Sequence, residues 1–245
     1  MNGLSKQKQK YIQSLHNKKY RKQYEAFLVE GEKSVKELLA SDFEILELYL
    51  SEKALQELPE VSNYSLCFLA DLEKVSTFRS NNFGLAVVKM KENKPIVTNQ
   101  GQWTLALDDI NDPGNLGTII RIADWYGIKE IICSVNTVEL YNPKVISSTM
   151  GSFTRVSCYY TDLGLYLKHS TNPVYGAVLQ GSNIHELDRI EPGVLVIGSE
   201  SHGIASEIVP FLNQKLTIPA FGKAESLNAG VATGILLDNL IRLSS

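Results

Sequence analysis

Read for the spacing of its apolar positions, the chain alternates strand-like runs with helical stretches from end to end. Gln7 to about Tyr24 predicts a helix with Tyr11, Ile12 and Leu15 as its apolar face. Phe27-Leu-Val predicts a strand, and Glu32 to Leu39 a helix with Val35, Leu38 and Leu39 inward. Glu44–Leu50 predicts a strand, Glu52–Leu58 a short helix and Ser65–Leu69 another strand. Asp71–Phe78 then predicts a helix and Gly84–Met90 a closing strand. Alternating elements of this length imply a small α/β domain over residues 1–90. Residues 91–102, KENKPIVTNQGQ, are polar, hold a proline and a glycine, and predict a linker. From 103 to 245 strands and helices recur at Thr104–Leu107, Gly117–Tyr126, Glu130–Ser134, Pro143–Ser148 and Asp162–Lys168. They continue at Val174–Val178, Val194–Ile197, Ile204–Phe211, Leu216–Ile218 and Ser226–Leu243. This pattern implies an α/β domain built on a mainly parallel sheet with helices on both faces. Ligands of such sheets sit beyond the carboxyl ends of the strands.

The stretch from Leu216 to Leu240 concentrates the polar groups that a structural element does not require. It runs from a β-rich segment through Pro219 and Gly222 into a long helix, with Leu227, Val231, Ile235, Leu236, Leu240 and Ile241 at helical spacing. So wide an apolar arc predicts cover from the sheet and from a second subunit. Ser226 is the predicted N-cap, because its hydroxyl can accept from an N–H of the first turn. Glu225, Ser226 and Asn228 crowd the entrance, where a small molecule could meet backbone groups; a capped helix after a turn accounts for the same residues.

Composition narrows the class. At 245 residues, 44% hydrophobic and 21% charged, the chain has an ordinary globular make-up and can bury a sizeable core. It holds no apolar run of membrane-span length, and its basic N-terminus lacks the apolar core of a secretory signal. Cys67, Cys133 and Cys158 are odd in number and far apart, so reduced thiols in a cytoplasm are expected. His16, His169, His185 and His202 have no ligand-like spacing, and no metal is expected. The net charge of −3 is unevenly spread: residues 1–24 hold seven Lys and Arg and no acid, leaving −10 for the remainder. Since RNA affinity depends on local phosphate neutralisation, that arm is a candidate contact, and a solvated basic helix is the alternative.

Two further stretches carry chemistry. Trp103 to Gly127 reads WTLALDDINDPGNLGTIIRIADWYG, a strand, a glycine-bearing loop and a helix. Gly193 to Gly203 reads GVLVIGSESHG, a buried-type strand ending in a glycine-bracketed loop with Glu200. Asn115 to Arg121, Gly198 to Gly203, and Ile218-Pro followed by Glu225-Ser-Leu-Asn228 resemble, in order, the three motifs of the SpoU/TrmH family. That family comprises RNA ribose 2′-O-methyltransferases of the SPOUT class. The resemblance implies a trefoil knot in residues 103–245, a homodimer, and a small N-terminal α/β RNA-binding domain that selects substrate. It implies S-adenosyl-L-methionine as cofactor and RNA as partner, ribosomal RNA ahead of tRNA. Asn115, Arg121, Glu200, Ser226 and Asn228 fall on catalytic positions, and Gly198, Gly203, Ile218, Leu227 and Ser226 on cofactor-binding ones. Arg121 is implied as the base that acts on the hydroxyl. A guanidinium gives up its proton only above about pH 12, so phosphate anchoring is the preferred role. Collinear placement of donor and acceptor can lower such a barrier by about 7–11 kcal/mol. Glu200 is implied to orient Arg121 or Asn115. Ala229-Gly230 departs from the family pattern, and a helix-interior glycine costs about 1 kcal/mol relative to alanine. A non-catalytic RNA-binding or assembly factor of the same fold is the other class.

Overall fold

The computed structural model describes residues 4–96 and 100–244, so residues 97–99 of the expected linker lie outside the described residues. The chain divides into two compact units: Met1–Glu92 with Glu139–Thr154, and Asn93–Val138 with Arg155–Ser245.

In the first unit, four strands form a sheet in the order β1 (Ala26–Glu30), β4 (Gly84–Lys89), β2 (Ile45–Leu50) and β3 (Ser65–Leu66). The β1–β4 and β4–β2 pairs are antiparallel, and β2–β3 is parallel. The predicted N-terminal helix is two helices, α1 (Lys6–Ser14) and α2 (Lys18–Tyr24). The break has a local cause: Asn17 is extended and its side chain accepts from Lys19 N, capping a new helix. Ile12 and Leu15 are buried with Leu28, Leu72 and Leu85, as their spacing predicted. The helices α3 (Glu32–Leu39), α4 (Glu52–Glu57) and α5 (Leu69–Val75) complete the order, Leu69 opening a helix rather than closing a strand. A later segment joins them: α7 (Pro143–Thr149) packs on β1, and Phe153 and Tyr141 meet Phe27.

The second unit is a six-stranded, wholly parallel sheet ordered β10 (Gln214–Thr217), β8 (Val174–Asn183), β9 (Val194–Ile197), β5 (Thr104–Leu107), β6 (Glu130–Ser134) and β7 (Ser157–Thr161). The pattern did not reveal β7, whose sequence SCYYT is short and only half-buried at the sheet edge. Ala106, Ile132, Val194 and Val196 face α8 (Leu163–Lys168) through Leu163 and Leu167. Leu105, Leu107, Ile131, Leu195 and Ile197 alternate with them, are equally buried, and point to the opposite face. On the helical layer of this unit, α6 (Pro113–Trp125) packs against α9 (Ala229–Ser244). The helix expected over Ile204–Phe211 reduces to one 3₁₀ turn at Val209–Phe211, where Pro210 supplies no N–H.

Candidate functional site

Strands β10, β8, β9 and β5 are consecutive in the sheet and parallel, so their carboxyl-end loops emerge side by side. This is what brings Asn115 into contact with Glu200 and Asn228, which lie 85 and 113 residues further along the chain.

After β5, Asp112 caps α6 by accepting from Asn115 N at 2.9 Å, and Pro113 supplies the first turn. The helix thus starts four residues earlier than predicted, and Asn115 sits inside its first turn instead of before it. After β9 the chain folds back on itself: Ser199 and Gly203 bridge through reciprocal backbone hydrogen bonds of 3.1 and 2.9 Å. A side chain at Gly198 would run into the Gly203 backbone, so the loop needs glycine there for close approach. The fold-back presents Glu200 at its tip, exposed. Below it, the buried Asp108 accepts from Ala205 N at 2.7 Å and ties the end of the loop to the end of β5. Burial holds the Asp108 carboxyl above the usual carboxylate range; Asp109 and Glu207 push the same way, and the Ala205 N–H opposes them.

After β10 the chain crosses to α9, which begins at Ala229. The cap is therefore Asn228, whose Oδ1 accepts from Gly230 N at 3.0 Å and Val231 N at 3.2 Å; Ser226, the expected cap, lies in the preceding loop. Asn228 Nδ2 donates to Asn115 Oδ1 at 2.6 Å, and Asn115 Nδ2 donates to Glu200 Oε1. The polarity of this relay is set at both ends. Backbone N–H groups of α9 can only donate, and an ionised carboxylate can only accept, so each amide has one usable orientation. One member of each of the three segments is held in one line of hydrogen bonds.

Arg121 is not part of that line. It is exposed on α6 and makes no hydrogen bond or ion pair among the described residues. Six positions separate it from Asn115, roughly two-thirds of a turn out of phase on a helix.

Beside the relay is a cavity of about 710 Å³. Gly198, Glu200, Gly203, Ile218, Ser226 and Leu227, all named from the sequence, line it. Sequence reasoning missed the wall formed by Ala177, Val178 and Leu179. There β8 loses register with β10 between Lys215 and Leu216, which are paired with Gly176 and Ser182. The available signal was Gly181, since a glycine inside a strand marks close backbone approach; a Cβ there would lie 2.6 Å from Lys215 O. It also missed Asp108 and Asp112, which are ordinary acids until their partners are known. The slot is walled by apolar side chains and glycine-bearing backbone. It has the size of a small-molecule site and suits a neutral ring and ribose better than a polyphosphate. Among the described residues no cluster of three or more His, Cys, Asp or Glu could hold a metal ion.

Residues 102–238 match the SpoU rRNA Methylase family, and residues 6–77 the MRM3-like substrate binding domain. The chain is 31% identical over 242 residues to the 23S rRNA (guanosine(2553)-2′-O)-methyltransferase RlmP of Bacillus subtilis, covering 96% of each chain. It is 37% identical over 144 residues to the 23S rRNA (guanosine-2′-O-)-methyltransferase RlmB of Blochmanniella floridana, covering 56% of each. A TrmH-family structure from Porphyromonas gingivalis superposes with a TM-score of 0.87 at 33% identity, over 98% of this chain and 100% of that one. The AdoMet-bound rRNA methyltransferase of Sinorhizobium meliloti superposes with a TM-score of 0.87 at 25% identity, over 99% and 97%. With a family match over more than half its length and a full-length relative, the chain belongs to the SpoU rRNA methylase family.

Proposed function

We propose that this protein transfers a methyl group from S-adenosylmethionine to a ribose 2′-hydroxyl in ribosomal RNA. The observation that carries the reading is the Asn228–Asn115–Glu200 relay at the edge of the 710 Å³ cavity. The cofactor, when bound, supplies an electrophilic methyl on a sulfonium sulfur. Ile218 and Leu227 would hold its adenine end through backbone groups, with the Gly198 and Gly203 backbone alongside and Ser226 near the methyl. Glu200 locks the Asn115 amide, which in turn locks Asn228, so the polar edge of the cavity is rigid before any ligand arrives. Such preorganised donors favour charge that develops on the attacking oxygen. Arg121, exposed and unpaired among the described residues, anchors a flanking phosphate with its planar fork of donors. Its positive charge makes the hydroxyl proton easier to lose to solvent water as the methyl group is transferred.

The same reading takes the protein to be a homodimer with the trefoil knot of its class, working in a reducing cytoplasm. In support, all three cysteines are free, and Trp125 on α6 and Val231 on α9 are 84% and 50% exposed. Among the described residues no helix is long and apolar enough to cross a membrane. Residues 1–90 serve as the RNA-binding part, and residues 103–245 as the methyltransferase domain.

The test is calorimetry with S-adenosylmethionine followed by a ribose-methylation map of RNA from cells with and without the chain. A lost 2′-O-methyl group in ribosomal RNA is expected. A mark lost from tRNA instead would replace the substrate. No cofactor binding by the pure protein, together with an unchanged map, would leave a non-catalytic assembly factor.

A further inference from the structure

Of the seven cationic side chains in the first 24 residues, two are used inside the first unit. Arg21 is only 2% exposed; its Nε donates to Glu139 at 2.9 Å, and its guanidinium also donates to the carbonyls of Leu15 and His16. Lys8 pairs with Glu47 at 2.6 Å. Lys6, Lys10, Lys18, Lys19 and Lys22 remain exposed, with no ion pair among the described residues. Between them lie two aromatic rings. Tyr20 and Tyr24, one turn apart on α2, have centroids 6.4 Å apart and planes only 17° apart. Tyr24 is braced edge-on against Tyr11, at 5.1 Å and 82°. Lys19 Nζ lies 5.7 Å from the Tyr20 ring centre. Yet Tyr20 and Tyr24 stay 36% and 44% exposed. The adjacent acid is Glu25, exposed in the left-handed cap of α2.

We propose that this face of α2 and the start of α1 binds a single-stranded segment of the RNA substrate. An unpaired base continues the Tyr20–Tyr24 stack while the lysines neutralise its neighbouring phosphates. The inference rests on the RNA-substrate reading above and adds which surface holds the RNA and in what form. A solvated helix face has no need of two parallel aromatic rings held by a third. A protein-docking patch is depleted of lysine, whereas here every exposed neighbour of the two rings on α2 is a lysine or Gln23. Aromatic faces interleaved with cations are how proteins hold single strands, because every base has a π-face and each phosphate a charge.

The full-length protein should be titrated with a fluorescein-labelled single-stranded oligoribonucleotide and with the duplex made from it. The single strand is expected to bind more tightly. Tyr20→Ala should weaken single-strand binding by about tenfold or more, while Tyr20→Phe, which keeps the ring, should bind as the native chain does. The triple variant Lys18→Ala, Lys19→Ala, Lys22→Ala should lower the slope of log affinity against log salt by about 2. Tyr20→Leu, which keeps apolar bulk without a π-face, guards against loss through misfolding, and thermal melting follows each variant. Native affinity in Tyr20→Leu, an unaltered salt slope in the triple variant, or a preference for duplex would each overturn the proposal. The outcome is separable from that of the activity. Tyrosine-dependent binding without methyl transfer sinks the proposed reaction and leaves this surface. Methyl transfer with Tyr20→Ala at the native rate under subsaturating RNA does the reverse.

Discussion

Asn115 shows how much a single residue owes to what surrounds it. As a side chain in a helical first turn it has no marked chemistry, but between Glu200 and Asn228 its amide is held with one orientation. Asn115→Asp places a second carboxylate against Glu200 and removes the donor. Methyl transfer should fall by about 10²-fold or more, with cofactor affinity measured by calorimetry nearly unaltered. Equal loss of both would make Asn115 a cofactor ligand. Asn228 has two duties, since it also caps α9. Asn228→Ala should cost about 1 kcal/mol of stability beyond its effect on rate, read as a drop of about 2–4 °C in Tm. Asp108 allows a pH test. Burial raises its folded pKa, so the folded carboxyl holds its proton more tightly than the unfolded one. Its contribution to stability is therefore full below about pH 4 and is lost as pH rises through the folded value. Asp108→Asn keeps an oxygen for Ala205 N. The variant should melt above the native chain near neutral pH, and the gap should close on acidification; a gap that widens instead would reverse the assignment.

Elements explain the departure at Ala229-Gly230. A Cβ on Gly230 would lie 2.8 Å from Thr118 Cγ2 on α6 and 3.2 Å from Asn228 Oδ1. The glycine is a contact point between α6 and α9, and its backbone cost is offset by the approach of two helices that both start at the site. Gly230 is the second residue of α9, so Gly230→Ala gains less than the about 1 kcal/mol of an interior site and should lose about 1–3 kcal/mol to crowding. A net fall in denaturation midpoint is expected, with Thr118→Ser restoring it by removing the methyl that clashes. No rescue in the double variant would move the strain to the Asn228 cap. Helix starts were the least legible feature. Both α6 and α9 were misplaced by three or four residues, because Asp112 and Asn228 resemble any loop Asp or Asn until an N–H is seen facing them.

At the scale of the whole molecule, sequence order and packing part company at residues 139–154. They fall between strands of the second unit in the chain, yet they fold with the first, where Glu139 receives the buried Arg21 and Phe153 meets Phe27 and Phe43. Removing one partner of a buried ion pair costs about 3–5 kcal/mol. Glu139→Ala should therefore lower the melting temperature more than Lys8→Ala at the partly exposed Lys8–Glu47 pair, a comparison that calorimetry can make directly. What the sequence determined alone is what short-range physics can encode: the α/β class, the strands VLVI and TLAL, the inward positions Val35 and Leu38 of α3, and the three segments whose side chains meet in the Asn228–Asn115–Glu200 line. A period of two or 3.6 and a glycine spacing are properties of neighbours. Which strand lies beside which, that Asn115 meets Glu200 and Asn228 while Arg121 does not, and that Arg21 is an internal strut while Tyr20 is left exposed, only the tertiary structure decided. Those contacts join residues dozens of positions apart, and the ones at the site exist because neighbouring parallel strands deliver their loops to one edge.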